Sequence, residues 1–242
     1  MCCPRGSPDV HGRERPRAPG TWVRLDPMSS AAQPYPHASE GDEVEEVKER
    51  LRRAVREART ARSPRRREAA ATALADVVTS IPAVAEAQCV AVYAARPSEP
   101  GTVPLLDALA ARGVRLLLPV LGQGLQRDWA EYAGAEDLRE RAPGRPPEPG
   151  GPTLGAQALA DADVVLAPAL AVDTSGARLG QGGGWYDRAL QHARPGAPVV
   201  AIVYPEELYD ATSRPLPREP HDRLVDAVAT PDGWQPVGPA AG

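Results

Sequence analysis

Phenylalanine is missing from the 242 residues and aromatic side chains amount to only 4% of them, so a stacking platform for nucleic-acid bases has little to be built from. Cysteine is scarce as well. Cys2, Cys3 and Cys89, an odd count without metal-ligand spacing, supply neither a disulfide framework nor a zinc site. Cys89 opens the apolar run CVAVYA and reads as a buried core thiol. Long hydrophobic runs are lacking: the longest nearly apolar stretch, Ala162 to Val172, contains Asp163 and Pro168 and is too short for a membrane span. Pro, Arg and Gly stand among the first residues where a signal peptide needs an apolar centre, so a reduced, cytoplasmic setting is expected. An excess of positive charge is lacking too, since the net charge of −4 excludes a polycation built for nucleic acid. No HExxH, Ser-His-Asp or Cys-His constellation is apparent to carry metal-assisted hydrolysis or a covalent nucleophile.

The remaining composition, 42% hydrophobic and 25% charged, suits one globular core. Residues 1–40 are rich in Pro, Gly, Ser and Arg without periodicity and read as a disordered N-terminal extension, in which Met28 offers a second start. The folded domain is expected over 41–237. Val44, Val47, Leu51, Val55 and Ala58 form an apolar stripe at helical spacing. Pro64 opens a second helix with Ala70, Ala73, Leu74, Val77 and Val78 inward, and Pro82 breaks it. Short apolar runs then alternate with helical segments. Strands are expected over 89–94, 114–118, 164–167, 199–203 and 224–229, and helices over 103–111 and 185–192. The Pro- and Gly-rich stretch 140–153 reads as a loop. This order predicts an α/β fold, a single domain with a mostly parallel sheet flanked by helices.

The most informative segment runs Asp173-Thr-Ser-Gly176-Ala-Arg178-Leu-Gly180-Gln181-Gly182-Gly183-Gly184-Trp185-Tyr186-Asp187-Arg188, between a strand and a helix. That is where open α/β sheets bind ligands. Glycines let backbone N–H groups converge on an anion, Arg178 offers bidentate geometry to phosphate, and Asp187 is a hard oxygen ligand suited to Mg²⁺. No Gly-Lys-Ser/Thr follows, so this is not a Walker loop; by glycine count alone it is equally a flexible connection. Upstream, Lys48, Arg52 and Arg59 fall within about 40° of one another on a helix, at the border of the apolar stripe. They line a cleft or belong to a solvated face.

The pattern Asp-xx-Gly-x-Arg-Leu-Gly-x-Gly-Gly-Gly-Trp-Tyr-Asp-Arg, preceded by LAPALAVD, resembles the signature of the 5-formyltetrahydrofolate cyclo-ligase family, and the similarity runs from about residue 44 to 232. The resemblance implies a sugar-isomerase-like architecture and ATP- and Mg²⁺-dependent cyclisation of 5-formyltetrahydrofolate to 5,10-methenyltetrahydrofolate. It also implies that Lys48, Arg52, Arg178, Gly180, Gln181, Gly182, Gly183, Gly184, Trp185 and Tyr186 hold ATP, with Lys48 and Arg178 catalytic. Glu99, Ala94 and Trp185 would face the folate, and Asp187 with Asp222 would hold Mg²⁺, Asp226 being the fallback for Asp222. Read by itself, Glu99 either accepts hydrogen bonds from the amino-pyrimidinone edge of a pterin or caps the helix after Thr102. Tyr93, Trp129 and Trp185 either stack on a ring or belong to the core. His221, beside Asp222, is a loop histidine without an assigned task. Position 181 is often larger or basic in the family, and here it is Gln. The partners expected are small molecules, with neither nucleic acid nor membrane, for a monomer or weak homo-oligomer. Two other readings stay open, a paralogous nucleotide-using enzyme with a different substrate and a non-catalytic folate- or nucleotide-binding protein.

Overall fold

A computed structural model of the protein describes residues 35–39, 41–121, 127–219 and 222–238. Cys2, Cys3, Met28, His221 and most of the extension expected over 1–40 lie outside the described residues. Tyr35 is described and is buried against Leu51 and Val55, so packing begins ahead of Gly41.

Helices α1 (Val44–Ala61), α2 (Pro64–Thr79) and α3 (Pro82–Ala85) come first, then strand β1 (Cys89–Ala91), helix α4 (Val103–Ala111) and strands β2 (Arg115–Val120), β3 (Asp128–Glu131), β4 (Val164–Pro168), β5 (Ala171–Asp173) and β6 (Arg178–Leu179). Helix α5 (Trp185–Ala189) leads to β7 (Val199–Ile202), β8 (Leu208–Tyr209), β9 (Ala227–Thr230) and β10 (Gly233–Pro236). Seven strands form one sheet in the order β10-β9-β7-β4-β1-β2-β3. The five central strands are parallel and the two edge strands antiparallel. The mostly parallel α/β architecture expected from the alternation is therefore present.

Period-2 alternation explains why the central strands read as unbroken apolar runs. Val90, Leu116, Leu118, Leu166, Val200 and Ile202 face one core, beneath α2 and α4. Their neighbours Ala91, Leu117, Val165, Ala167 and Ala201 face the other, beside α5. A sheet covered on both faces leaves no polar alternation to read.

Several expectations shift. In α1, Val47, Leu51 and Val55 are buried, but Val44 and Ala58 are exposed, and Arg59 takes the buried place at the end of the stripe. In α2 the deepest side chains are Ala71, Leu74, Ala75 and Val78. Pro82 breaks α2 and also opens the short α3. The helix expected over 185–192 is α-helical only to Ala189 and ends in a 3₁₀ turn. The last strand begins at Ala227, three residues later than expected, and pairs with an unforeseen hairpin partner, β10. The small second sheet, β6-β5-β8, was also not foreseen; two- and three-residue strands carry too little periodicity to be seen.

That small sheet anchors α1. The Arg59 guanidinium, 2% exposed, donates from Nε and Nη2 to the two oxygens of Glu207 at 2.7 Å each, and from Nη2 to the Ala169 carbonyl at 2.7 Å. Glu207 also accepts from the Tyr204 amide at 2.8 Å, so the buried charges are paired and hydrogen-bonded. Removing one partner strands the other. Arg59→Ala is expected to cost about 3–5 kcal/mol in urea denaturation, with part of that loss recovered in the Arg59→Ala/Glu207→Ala double variant. A loss below about 1 kcal/mol would contradict the anchoring role.

Candidate functional site

The strand order reverses at β1, with β2 on one side and β4, β7 and β9 on the other. Connections leaving such a point in opposite directions open a crevice at the carboxyl ends of the strands. The loop after β1 carries Tyr93, Arg96 and Glu99, β2 ends at Pro119 and Val120, and β4 ends at Pro168. These segments and the glycine loop line a cavity of about 550 Å³. A second cavity of about 220 Å³ lies between the same loop, Lys48 and Arg52 of α1, and Glu219 and Asp222 ahead of β9. Arg178, Gly180, Gly184, Asp187 and Arg188 line both cavities.

Asp173 builds the loop. Its buried carboxylate accepts from the amides of Ser175 (2.9 Å), Ala177 (3.1 Å) and Leu216 (2.9 Å) and from the Ser175 hydroxyl (2.6 Å). The first residue of the signature is thus an architectural one. Gly176 has φ +88°, and a Cβ there would lie 2.7 Å from the Val225 carbonyl oxygen. Only glycine allows this approach, through which Val225 donates to the Gly176 carbonyl at 2.9 Å and the segment after Asp222 is fastened to the loop.

The charges follow from this scaffold. Arg178, on β6, donates to Asp187 at 2.9 Å and to the Pro168 carbonyl at 3.3 Å. Lys48 is buried and pairs with Asp222 at 2.7 Å and Glu219 at 2.9 Å. Burial works against its charge, but the two carboxylates hold its pKa above the ordinary lysine value, so it stays a cation through neutral pH. Arg52 pairs with Glu45 (2.7 Å) and Glu49 (3.2 Å) and donates from Nε to the Gly180 carbonyl at 3.2 Å. Both Glu45 and Glu49 side chains are more than half exposed, so an incoming polyanion can replace them at small cost.

The larger cavity shows unmet hydrogen-bonding capacity. The hydroxyls of Tyr93 and Tyr186, Nε1 of Trp185 and Nε of Arg178 are buried without a partner among the described residues. Burial pushes both phenols up, so they remain protonated donors. Such groups are costly unless a ligand or water satisfies them. Glu99 is buried here and accepts from the Arg96 amide at 2.9 Å and from Gln181 Nε2 at 3.0 Å. Thr102, the N-cap residue of α4, has no side-chain capping bond and Glu99 supplies none, so the capping alternative falls away.

Most of the expected residues therefore meet at one place. Lys48, Arg52, Gly182 and Asp222 line the smaller cavity, and Glu99, Gln181, Gly183, Trp185 and Tyr186 the larger. Ala94 and Arg59 stand elsewhere than expected, while Trp129 takes the core place left open for it and the fallback Asp226 lies apart from the cavities. Ala94 packs in the core beneath α2 and α4 and lines neither cavity, because Tyr93 and not its neighbour faces the crevice. Trp129 is core, edge-on to Trp185 with ring centroids 5.3 Å apart. Asp226 accepts from the Val199 amide at 2.7 Å and lines neither cavity. Arg59 belongs to the α1 anchor. In its place Arg56 lines the larger cavity, and the spacing Lys48, Arg52, Arg56 at i, i+4, i+8 was the available signal. Arg96, Arg127, Arg145 and Arg188 were also missed. Of these, Arg188 ends the signature itself, whereas Arg127 and Arg145 come from irregular segments that carry no pattern. Asp187 and Asp222 both line the smaller cavity, and they are hard oxygen donors of the kind Mg²⁺ takes.

The model of the 5-formyltetrahydrofolate cyclo-ligase family matches residues 44–231. The 5-formyltetrahydrofolate cyclo-ligase of Mycolicibacterium smegmatis is 45% identical over 139 residues, covering 55% of this chain and 69% of the relative. That of Escherichia coli is 32% identical over 160 residues, covering 62% of this chain and 81% of the relative. Among solved structures, the 5,10-methenyltetrahydrofolate synthetase of Aquifex aeolicus superposes with a TM-score of 0.67 at 25% identity, covering 81% of this chain and 95% of that one.

The unmet phenols make a measurable prediction. Tyr186→Phe removes a buried, unpartnered hydroxyl and is expected to raise the stability of the ligand-free protein by about 1 kcal/mol in urea denaturation. A loss of similar size would mean that the hydroxyl is satisfied in solution.

Proposed function

Because the chain belongs to the 5-formyltetrahydrofolate cyclo-ligase family, its activity is the closure of 5-formyltetrahydrofolate to 5,10-methenyltetrahydrofolate, and we propose that the two joined cavities divide the substrates between them. ATP lays its phosphates in the smaller cavity, and the folate occupies the larger. The observation that carries this division is the shared wall: Arg178, Gly180, Gly184, Asp187 and Arg188 border both spaces, so groups bound on either side meet at the glycine loop.

Chemistry sets what the wall must do. The formyl oxygen of an amide is a poor leaving group. Transfer of the γ-phosphoryl group to it breaks the bond to ADP and forms an imidate phosphate. N10 then attacks the formyl carbon and gives up its proton, the carbon–oxygen bond breaks, and phosphate departs, leaving the methenyl bridge. No covalent enzyme intermediate is needed; positioning and charge neutralisation are the tools of phosphoryl transfer. Lys48 and Arg52 take the phosphates, with Lys48 exchanging some of its pairing with Asp222 and Glu219 and Arg52 some of its pairing with the exposed Glu45 and Glu49. Arg178 stands at the junction and neutralises charge on the transferring group. Loop amides at Gly180, Gln181 and Gly182 to Gly184 complete the cradle, with Trp185 and Tyr186 at its end.

Asp187 and Asp222 would hold Mg²⁺, whose chemistry is to neutralise the triphosphate. The paired donor set supports this, since such an ion takes one or two carboxylates and the oxygens of the nucleotide. Glu99 reads the amino-pyrimidinone edge, and Trp185 packs on the folate. A cytoplasmic setting, where ATP is supplied and the described cysteine Cys89 is an unpaired buried thiol, completes the reading, with the enzyme acting as a monomer or weak homo-oligomer on small molecules alone.

Near-UV absorbance of the methenyl product, followed with purified protein, 5-formyltetrahydrofolate and Mg-ATP, tests the reading. Product is expected only with ATP, and Lys48→Met and Asp187→Asn are each expected to lower kcat/KM by about 100-fold or more. A folded, ATP-binding protein that makes no product would overturn the activity, and a fully active Asp187→Asn variant would remove Asp187 from the metal site.

A further inference from the structure

We propose that Gln181 and Arg56 are positioning residues for folate recognition, acting through Glu99 as a hydrogen-bond relay that runs from α1 across the glycine loop. The proposal rests on the reading of Glu99 as the group that meets the pterin edge.

Three side chains from three separate segments line the larger cavity and touch in sequence. Arg56 donates from Nε to Gln181 Oε1 at 3.2 Å and from Nη2 to the Gln181 carbonyl at 2.9 Å. Gln181 donates from Nε2 to Glu99 Oε1 at 3.0 Å. The other oxygen of Glu99 accepts from the Arg96 amide at 2.9 Å, and the Glu99 carbonyl accepts from the Tyr204 hydroxyl at 3.3 Å.

Each link constrains the next. An amide side chain has one acceptor end and one donor end. A guanidinium can only donate, so Arg56 takes the oxygen of Gln181 and turns its NH₂ group towards the carboxylate. Glu99 is then held from both sides, with one bond to each oxygen. A carboxylate offers about four acceptor positions, so each oxygen keeps capacity for a donor on the ligand. Held in this way, the carboxylate loses little rotamer freedom on binding, which favours affinity. Arg56 is itself steered by Glu49 at 3.5 Å.

The place of Gln181 gives the relay its significance. It lies between Gly180 and Gly182, in the loop that holds the phosphates in the proposed function. One short segment thus forms part of the nucleotide cradle with its backbone and orients the folate reader with its side chain. A neutral amide at 181 suits that task. An acidic residue would repel Glu99, and an apolar one would leave both Arg56 and Glu99 short of a partner.

The test is a double-mutant cycle read as separate KM values for the two substrates. Wild-type turnover establishes the activity, and a far-UV circular dichroism spectrum and urea midpoint close to those of wild type certify the fold of each variant. Gln181→Leu is expected to raise KM for 5-formyltetrahydrofolate about tenfold, the worth of a hydrogen bond to a charged group, with kcat changed less. Gln181→Glu, which keeps both bonds from Arg56, is expected to be at least as damaging, where a purely space-filling role would tolerate it. In the Glu99→Gln background, Gln181→Leu should add less than about twofold, because its effect passes through Glu99. Fully additive penalties, or a folate KM unmoved by Gln181→Leu while Glu99→Gln raises it, would overturn the relay and leave the reading of Glu99 standing. A folate KM unmoved by Glu99→Gln would overturn both.

Discussion

The bidentate pair between Arg59 and Glu207 decides where α1 lies, and the site depends on where α1 lies. Arg59 is clamped to Glu207, ahead of β8, and to the Ala169 carbonyl, ahead of β5. From that fixed end the helix runs back to Lys48 over roughly 16 Å. Arg56, Arg52 and Lys48 then fall, one turn apart, along the glycine loop that leaves β5 through β6. A buried ion pair is a costly anchor, because both charges must leave water. Its geometric return is direction: two parallel N–H···O bonds fix an orientation that apolar packing alone would leave looser.

The loop meets α1 with complementary groups. Arg52 holds the Gly180 carbonyl and Arg56 the Gln181 carbonyl, so the backbone of the loop is gripped by the helix on two successive residues. Asp173 ties the start of the loop from within, and the close approach at Gly176 ties it to the segment that follows Asp222. Cations and carboxylates neutralise one another across the site: Lys48 with Asp222 and Glu219, Arg178 with Asp187, Arg52 with Glu45 and Glu49. A triphosphate would draw on the same cations, and a metal ion on the same aspartates, so binding exchanges partners within a charge network that already exists and avoids burying new isolated charge.

The fold was legible in the sequence where periodicity was long or apolar runs were bounded. Helix α4 was read at its observed limits, and the central strands were read to within a few residues, because both faces of the sheet are covered. The second sheet was not legible, since β6 and β8 are two residues each and are held by register with β5. At the site, the signature located the loop, and the roles within it divided only in three dimensions. Asp173 opens the signature without an assigned task and is a scaffold. Arg59 reads as part of a row on a cleft or a solvated face and is an anchor, whereas Arg56, three residues earlier, reaches the crevice. A difference of three residues on a helix is about 60°, enough to exchange a cavity for the core, and charge type alone does not disclose which side a residue takes.

The central claim is that the loop brings the γ-phosphoryl group of ATP onto the formyl oxygen. Its most direct test is the fate of that oxygen. With ¹⁸O in the formyl group of 5-formyltetrahydrofolate, mass analysis of the inorganic phosphate released should find one labelled oxygen for each methenyl product formed. Unlabelled phosphate, with the label appearing in water, would show that ring closure does not pass through a phosphorylated formyl oxygen, and the division of the two substrates across the shared wall would lose its purpose.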